Sequence, residues 1–364
     1  MSPQINILIT GATGYVGGSV LDRLLKHPEA SSFKISAIVR SEEKGRKIEN
    51  LGVESIIGSY EADDLSFLTD AASRADVVFA IVSGGYVLCI QLHRSSIPHK
   101  ANSDHLPSAR AILHGMKRKF KQSGKAPVLI HTSGTAIVMD DSRGLTSEHM
   151  IFSDLDVEKL NLLPETALHR NVDIPLIEAD KEGFVKVYLI TPGTIFGVPT
   201  GQLVDLGLQN THSMQIPFIV KPSITRKQGG YIGKGLNTWS AISHEEVVDL
   251  YIILFDAIRN SPDNVAHGTE GYYFAENFEY SGIELARATS EALVELGIGS
   301  SSEPSAFTQE ELDTFFGPIW PLLATNSYAK GDRSRALGWK PKCTKKEFLE
   351  NVKFETKQLL AESK

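Results

Sequence analysis

Residues 5–18, INILITGATGYVGG, constrain this chain more than any other stretch. Ile5, Ile7, Leu8 and Ile9 form the short apolar run that a strand buried on both faces requires. Gly11, Gly14 and Gly17 follow at G-x-x-G-x-x-G spacing, with Thr10 in front. Val16, Val20, Leu21, Leu24 and Leu25 then recur at helical spacing, and the helix is expected to stop near His27 and Pro28. In a strand–turn–helix each glycine has its own reason. Gly11 permits the tight exit from the strand, Gly14 lets backbone approach a pyrophosphate, and Gly17 lets helix and strand pack closely. The helix start offers free N–H groups and partial positive charge to phosphates. Glycines in a turn are also ordinary, but a strand before and a helix directly after favour a dinucleotide. Thr10, Gly11, Thr13, Gly14, Tyr15, Val16 and Gly17 are therefore the expected cofactor contacts of this turn.

The stretch TGATGYVGG also resembles the TGxxGxxG turn of the extended and atypical short-chain dehydrogenase/reductases. That resemblance implies an α/β fold: a Rossmann-type doubly wound parallel sheet with a small C-terminal α+β substrate lobe. Residues 1–200 would form the NAD(P)-binding domain, with the sheet completed by 240–278. Residues 201–239 and 279–345 would form the lobe, and 346–364 a terminal helix.

Length and charge agree with that outline. A chain of 364 residues holds one large α/β domain with a smaller appendage. A formal charge of −7 argues against nucleic acid or an anionic membrane as partner. Cys89 and Cys343 are too far apart in sequence to suggest a disulfide framework or a cysteine metal site. The uncharged run 77–92 falls short of the ~20 apolar residues of a membrane span. The early first strand leaves no room for a signal peptide, so a cytoplasmic protein acting on a small molecule, as monomer or homodimer, is expected.

Residues 33–39 (FKISAIV) read as the second strand, ending at Arg40 and Ser41. An NAD-selective site places an acid about 20 residues past the glycines, on the ribose hydroxyl. Arg40 and Ser41 stand there instead and suit a 2′-phosphate through charge-assisted hydrogen bonds. NADP is the expected cofactor and NAD the second choice. A third strand at 53–57 precedes Asp63, Asp64 and Leu65, where the resemblance implies an acid–apolar pair beside the adenine. Either acid fits, and an acidic helix cap fits equally.

Residues 75–82 read as the fourth strand, and 102–120 as a helix. Between them, 83–100 has no clean period and looks inserted relative to similar chains. A lid over the cofactor, an excursion without structure and a gene-model error all account for it. Residues 128–131 form the fifth strand and run into Thr132 and Ser133, at the end where ligands bind in open parallel sheets. The resemblance gives Ser133 the substrate oxygen and Thr132 a cofactor contact. Residues 185–190 form the sixth strand and lead into TPGTIFG at 191–197. This is similar to the family's R-P-G-x-V-Y-G turn beside the nicotinamide, with Thr191 for the arginine and Phe196 for the tyrosine, so Pro192, Gly193 and Thr194 are expected there. The stretch GKGLNTWS at 233–240 and GDRSRALGWKP at 331–341 resemble further family segments.

One part of the family's chemistry is missing. Its Tyr-x-x-x-Lys pair exchanges the proton that accompanies hydride transfer, the lysine lowering the phenol pKa. No tyrosine occurs from Gly134 to Val187. His169 and Asp173 occupy the corresponding stretch, four apart and on one face if helical. An imidazole oriented by a carboxylate can do the same work, although a surface histidine near an acid is the commoner arrangement. Two readings remain. One is an NADP-dependent oxidoreductase or epimerase/dehydratase with Ser133, His169 and Asp173 as catalytic residues. The other is a catalytically silent, redox-sensing NADP-binding regulator, similar to the atypical nitrogen-regulator-like members. No metal ligands are expected.

Overall fold

A computed structural model describes residues 4–81 and 104–362. The segment 83–100, read above as an insertion, lies outside the described residues. Seven strands form one parallel sheet: β1 (Ile5–Thr10), β2 (Phe33–Val39), β3 (Glu54–Ile57), β4 (Val77–Ala80), β5 (Val128–Thr132), β6 (Lys186–Pro192) and, later in the chain, β9 (Tyr272–Ala275). Their order is β3-β2-β1-β4-β5-β6-β9, and every neighbouring pair is parallel. The chain builds outward from β1 to one edge, then returns to β4 and builds to the other. The crevice between β1 and β4 is therefore the topological switch point.

The strands are apolar on both faces because helices cover both. Tyr15–Leu25 and His244–Asn260 lie on one face, around Val20, Leu24, Phe79, Tyr251 and Phe255. Ser66–Ala72, Leu106–Ser123 and Arg170–Lys181 lie on the other, around Leu68, Met116, Val172 and Leu189. A smaller sheet carries β8 (Thr238–Ser243) between β7 (Thr194–Phe196), which is parallel to it, and β10 (Phe278–Ser281), which is antiparallel. Helices Gln215–Arg226, Gly282–Glu295 and Lys345–Glu362 pack together beside it around Ile216, Val220, Leu285 and Phe348. No described helix is long and apolar enough to cross a membrane.

One element differs from what local sequence suggests. Residues 216–220 are an apolar stretch with Pro217 inside it and Pro222 just beyond, residues that ordinarily disfavour a helix. The structure nevertheless forms Gln215–Arg226 there. Pro217 falls in the first turn, where its missing N–H has no partner to lose. Burial of Ile216 and Val220, both 0% exposed, outweighs the defect at Pro222.

Candidate functional site

At the end of β1, Gly11 takes φ +66°, the left-handed turn that glycine adopts without strain. The Gly14 amide donates back to the Gly11 carbonyl at 2.7 Å, closing the turn. Gly14 is the N-cap of Tyr15–Leu25 and no side chain caps it, so the first-turn amides remain for a ligand. A Cβ on Gly17 would lie 2.3 Å from the Gly11 oxygen, so helix and turn meet backbone to backbone. The turn thus fits a pyrophosphate. The Thr13 carbonyl accepts from the Asn210 amide at 3.0 Å, and the Tyr15 carbonyl accepts from Gln209 Nε2 at 2.8 Å. The Tyr15 ring lies 4.6 Å from that of His244 and its hydroxyl donates to the Gly197 carbonyl. Burial, with Glu355 and Glu245 adding to it, raises the Tyr15 pKa further, so this phenol braces the turn and stays protonated. Thr10 turns its hydroxyl inward, to the Phe79 carbonyl at 3.4 Å.

Past β2, Arg40 is exposed and makes no ion pair among the described residues. Ser41 caps Glu42–Glu49, its hydroxyl accepting from the Lys44 amide at 3.4 Å. Glu42 and Glu43 are occupied with Arg46 and Lys47. Asp64 spends both carboxylate oxygens on Ser66, amide and hydroxyl each at 2.8 Å, at the head of Ser66–Ala72. Those bonds, the backbone one foremost, hold its carboxyl below the ordinary value. Asp64 closes this local turn one residue before Leu65, the N-cap of Ser66–Ala72, which no side chain caps. Leu65 packs half-buried against the core beneath.

The ends of β5 and β6 carry hydroxyls on opposite faces. Thr132 Oγ1 pairs with the Tyr251 hydroxyl at 2.6 Å, towards His244–Asn260. Ser133 Oγ donates to Asp173 Oδ2 at 2.7 Å on the other face, where the Tyr272 hydroxyl also donates at 3.1 Å. Pro192 closes β6. The Gly193 amide donates to the Ala275 carbonyl at 3.0 Å, and a Cβ there would lie 2.4 Å from the Ser240 oxygen. Thr194 Oγ1 pairs with the Tyr280 hydroxyl at 2.9 Å. Phe196, in place of a tyrosine, packs 5.3 Å from the Phe348 ring.

His169 departs from expectation in two ways. It is not on a helix face with Asp173: it is the N-cap of Arg170–Lys181, at φ +68°. Its Nδ1 faces Asp104 Oδ1 at 2.7 Å, so Asp104, not Asp173, is the carboxylate that orients it. Asp173 instead gathers Ser133 and Tyr272 from the helix's first turn. Asp104 escaped notice because it reads as part of a helix opening; His105 does that capping, accepting from the Ser108 amide at 3.3 Å. A separate residue already fit to cap was the one signal that Asp104 was available. His169 Nε2 lies 2.7 Å from the place where a Cβ on Gly134 would stand.

These groups are buried, and their charges interact. Burial disfavours the His169 cation, but the bond to Asp104 and the charges of Asp104 and Asp173 outweigh it and raise the imidazole pKa. Burial pushes Asp173 up to about 6, against the pull of His169, Ser133 and Tyr272. His131, on the same face of β5, is pushed down to about 4 by burial and is a neutral neighbour. Among the described residues no three His, Cys, Asp or Glu are grouped to hold a metal ion.

A cavity of about 260 Å³ joins these parts. It runs from Tyr15 and Val16, past Ser133, Gly134, His169, Pro192 and Gly193, to Phe218, Trp239, Phe307 and Phe316. Tyr15 and Val16, directly after the glycine turn, and the imidazole therefore line one space.

Residues 3–93 match the NmrA-like family. The protein named oxidase ucsJ of an Acremonium species is 26% identical over 353 residues, covering 92% of each chain. A 4-hydroxy-2-methyl-3-oxo-4-farnesyl-3,4-dihydroquinoline-1-oxide ketoreductase of Stigmatella aurantiaca is 30% identical over 91 residues, 24% of this chain and 25% of its own. Among solved structures, the UDP-glucuronic acid 4-epimerase of Bacillus cereus, in complex with UDP-glucuronic acid and NAD, superposes with a TM-score of 0.62 at 15% identity over 98% of this chain and 100% of its own, a likeness of fold. The chain thus carries an NmrA-like first quarter on a Rossmann-type NAD(P)-binding fold similar to that of the epimerase/dehydratase enzymes.

Proposed function

We propose that this protein is an NADP(H)-dependent oxidoreductase that interconverts a carbonyl compound and its alcohol, with His169 as the proton-exchanging group. The observation that carries the reading is the His169–Asp104 pair, 2.7 Å apart and buried, on the wall of the cavity that the glycine turn also enters. Gly11, Thr13, Gly14, Tyr15 and Val16 would hold the pyrophosphate side of the dinucleotide, and Arg40 with Ser41 its 2′-phosphate. Asp64 and Leu65 would flank the adenine, with Thr132, Pro192, Gly193 and Thr194 at the nicotinamide side. When bound, the reduced nicotinamide supplies a hydride to the carbonyl carbon. His169, its Nδ1 on Asp104, gives the accompanying proton through Nε2 to the carbonyl oxygen, and takes it back when the alcohol is oxidised. Asp104 fixes the ring and stabilises the imidazolium. Ser133 positions the carbonyl oxygen and is itself positioned by Asp173. The names of two relatives, an oxidase and a ketoreductase, are consistent with redox chemistry.

A silent dinucleotide-binding regulator is the competing reading. A buried imidazole–carboxylate pair whose histidine lines a largely apolar cavity favours the enzyme. The test follows the absorbance of NADPH against a panel of ketones and aldehydes. His169→Phe should lower kcat by about 10²–10⁴-fold and leave the NADPH Kd unchanged. An unchanged kcat removes His169 from the mechanism. Tight NADPH binding with no hydride transfer to any carbonyl returns the protein to the regulator reading.

A further inference from the structure

The cavity wall has a chemical character that the cofactor turn does not share. Beyond the imidazole its bulk is Phe218, Trp239, Phe307, Phe316, Leu322 and Leu323, with Gln215, Tyr231 and Asn237 as neutral polar members. No lysine, arginine, aspartate or glutamate lines it among the described residues. The polar tips of its aromatic residues are turned to the protein: Trp239 Nε1 donates to the Thr325 carbonyl at 2.7 Å. The cation adjoining this wall, Arg226, is already taken up. Its guanidinium meets Glu311 at 3.3 Å, donates to Ser305 Oγ at 2.8 Å and covers the Phe307 ring at 4.9 Å. The helix that opens on the cavity, Gln215–Arg226, has Pro217 in its first turn and so presents one amide donor fewer to an anion.

Such a wall offers a charged diphosphate no cation among the described residues and only the Gln215 and Asn237 side-chain amides as donors. Anions taken from water need cations or several N–H donors, and without them the desolvation cost is large. Flat rings and branched aliphatic chains instead receive apolar surface, whose release from water is favourable in proportion to its area. We infer that the substrate is an uncharged, largely apolar, ring-bearing ketone or its alcohol, and not a sugar nucleotide. This rests on the oxidoreductase reading above. The reaction balances as ketone plus NADPH plus one proton giving alcohol plus NADP⁺. Carbon gains the hydride, oxygen gains the proton, and the nicotinamide is oxidised.

The experiment titrates the NADP⁺-loaded protein calorimetrically with 2-decalone and, separately, with UDP-glucose. It also follows NADPH oxidation with each. The expected result is that 2-decalone binds at least about 10-fold more tightly than UDP-glucose, and that Leu322→Ser and Leu323→Ser each weaken it by roughly 10-fold without altering NADPH affinity. Both leucines are only half-buried, so these variants should fold. UDP-glucose binding equally or more tightly overturns the inference. So does 2-decalone binding that both leucine variants leave unchanged. Binding of 2-decalone without NADPH oxidation by any carbonyl upholds the apolar site and defeats the oxidoreductase reading alone. Turnover of other carbonyls with no affinity for 2-decalone does the reverse.

Discussion

The glycine turn and the proton site proposed above lie beside one cavity but are made differently. The turn is backbone: Gly11 at φ +66°, its carbonyl accepting from Gly14, and Gly17 against that same carbonyl. All of it comes from residues adjacent in sequence. The proton site is side chain, and draws Asp104, Ser133, His169, Asp173 and Tyr272 from four elements and their connections. A backbone site is specified by where side chains are missing, and its spacing is rigid. A side-chain site is specified by distances in space, and its parts can be exchanged as long as one group moves the proton and another holds it.

If the two sites are separable, a change in one should leave the other's readout intact. The largest effect expected in such a test is from Gly134→Ala. Gly134 is extended, at φ −168°, so alanine fits its backbone, but the new Cβ would meet His169 Nε2 at 2.7 Å. The imidazole must move, and kcat should fall by about 10²-fold with NADPH affinity held. A loss of both would mean that the sites are one unit. Next comes Arg40→Ala. A hydrogen bond to a charged group contributes roughly 1.5–3 kcal/mol, so NADPH should bind about 10- to 100-fold more weakly and NADH as before. Equal losses would remove Arg40 from the 2′-phosphate.

Gly17→Ala acts on the turn through its fold. A Cβ 2.3 Å from a backbone oxygen cannot be relieved by a side-chain rotation, and a loss of about 1–3 kcal/mol in unfolding free energy is expected, read by denaturant titration. Both nucleotides should weaken together. The smallest effect lies away from both sites. Glu355 is buried and accepts from Ser213 Oγ at 2.8 Å, and burial raises its pKa to about 7 against that bond. The folded chain thus keeps a proton that the unfolded chain has released. The stability so gained is present below pH 4.5 and is lost as pH rises through 7. Glu355→Gln should raise Tm at pH 8 by about 2–4 °C and change it little at pH 5. A lowered Tm at pH 8 would show that the carboxylate's hydrogen bonds outweigh its desolvation.

The same division explains what could be read from the chain alone. β2 falls at 33–39, as its apolar run suggests, Gly11 makes the left-handed exit from β1, and Gly17 makes the close helix–turn contact that its spacing implies. Buried parallel strands and glycine turns are local patterns. His169 stood out through the absence of a tyrosine, and Ser133 through its place at a strand end. Their partners did not. Asp104 lies 65 residues before His169 and meets it only because two helices pack on the same sheet face. Asp173 appeared to be that partner because four residues along a helix make a face, and the φ +68° backbone at His169 takes it out of the helix. The helix at 215–226 was hidden for a related reason: its two prolines are local, while the burial that overrides them is tertiary.

Gly193 is the whole of the connection between β6 of the large sheet and β7 of the small one. Its amide is held by Ala275, and Ser240 leaves no space at its Cα. A few ångströms away β9 runs into β10 through Glu276 and Asn277 alone. In mechanical language these are welds side by side, where a single flexible joint would be needed for a jaw. The aromatic wall is therefore tied to the ends of β6 and β9 by two short connections, and on the reading proposed above the cavity would select a molecule by its length and girth.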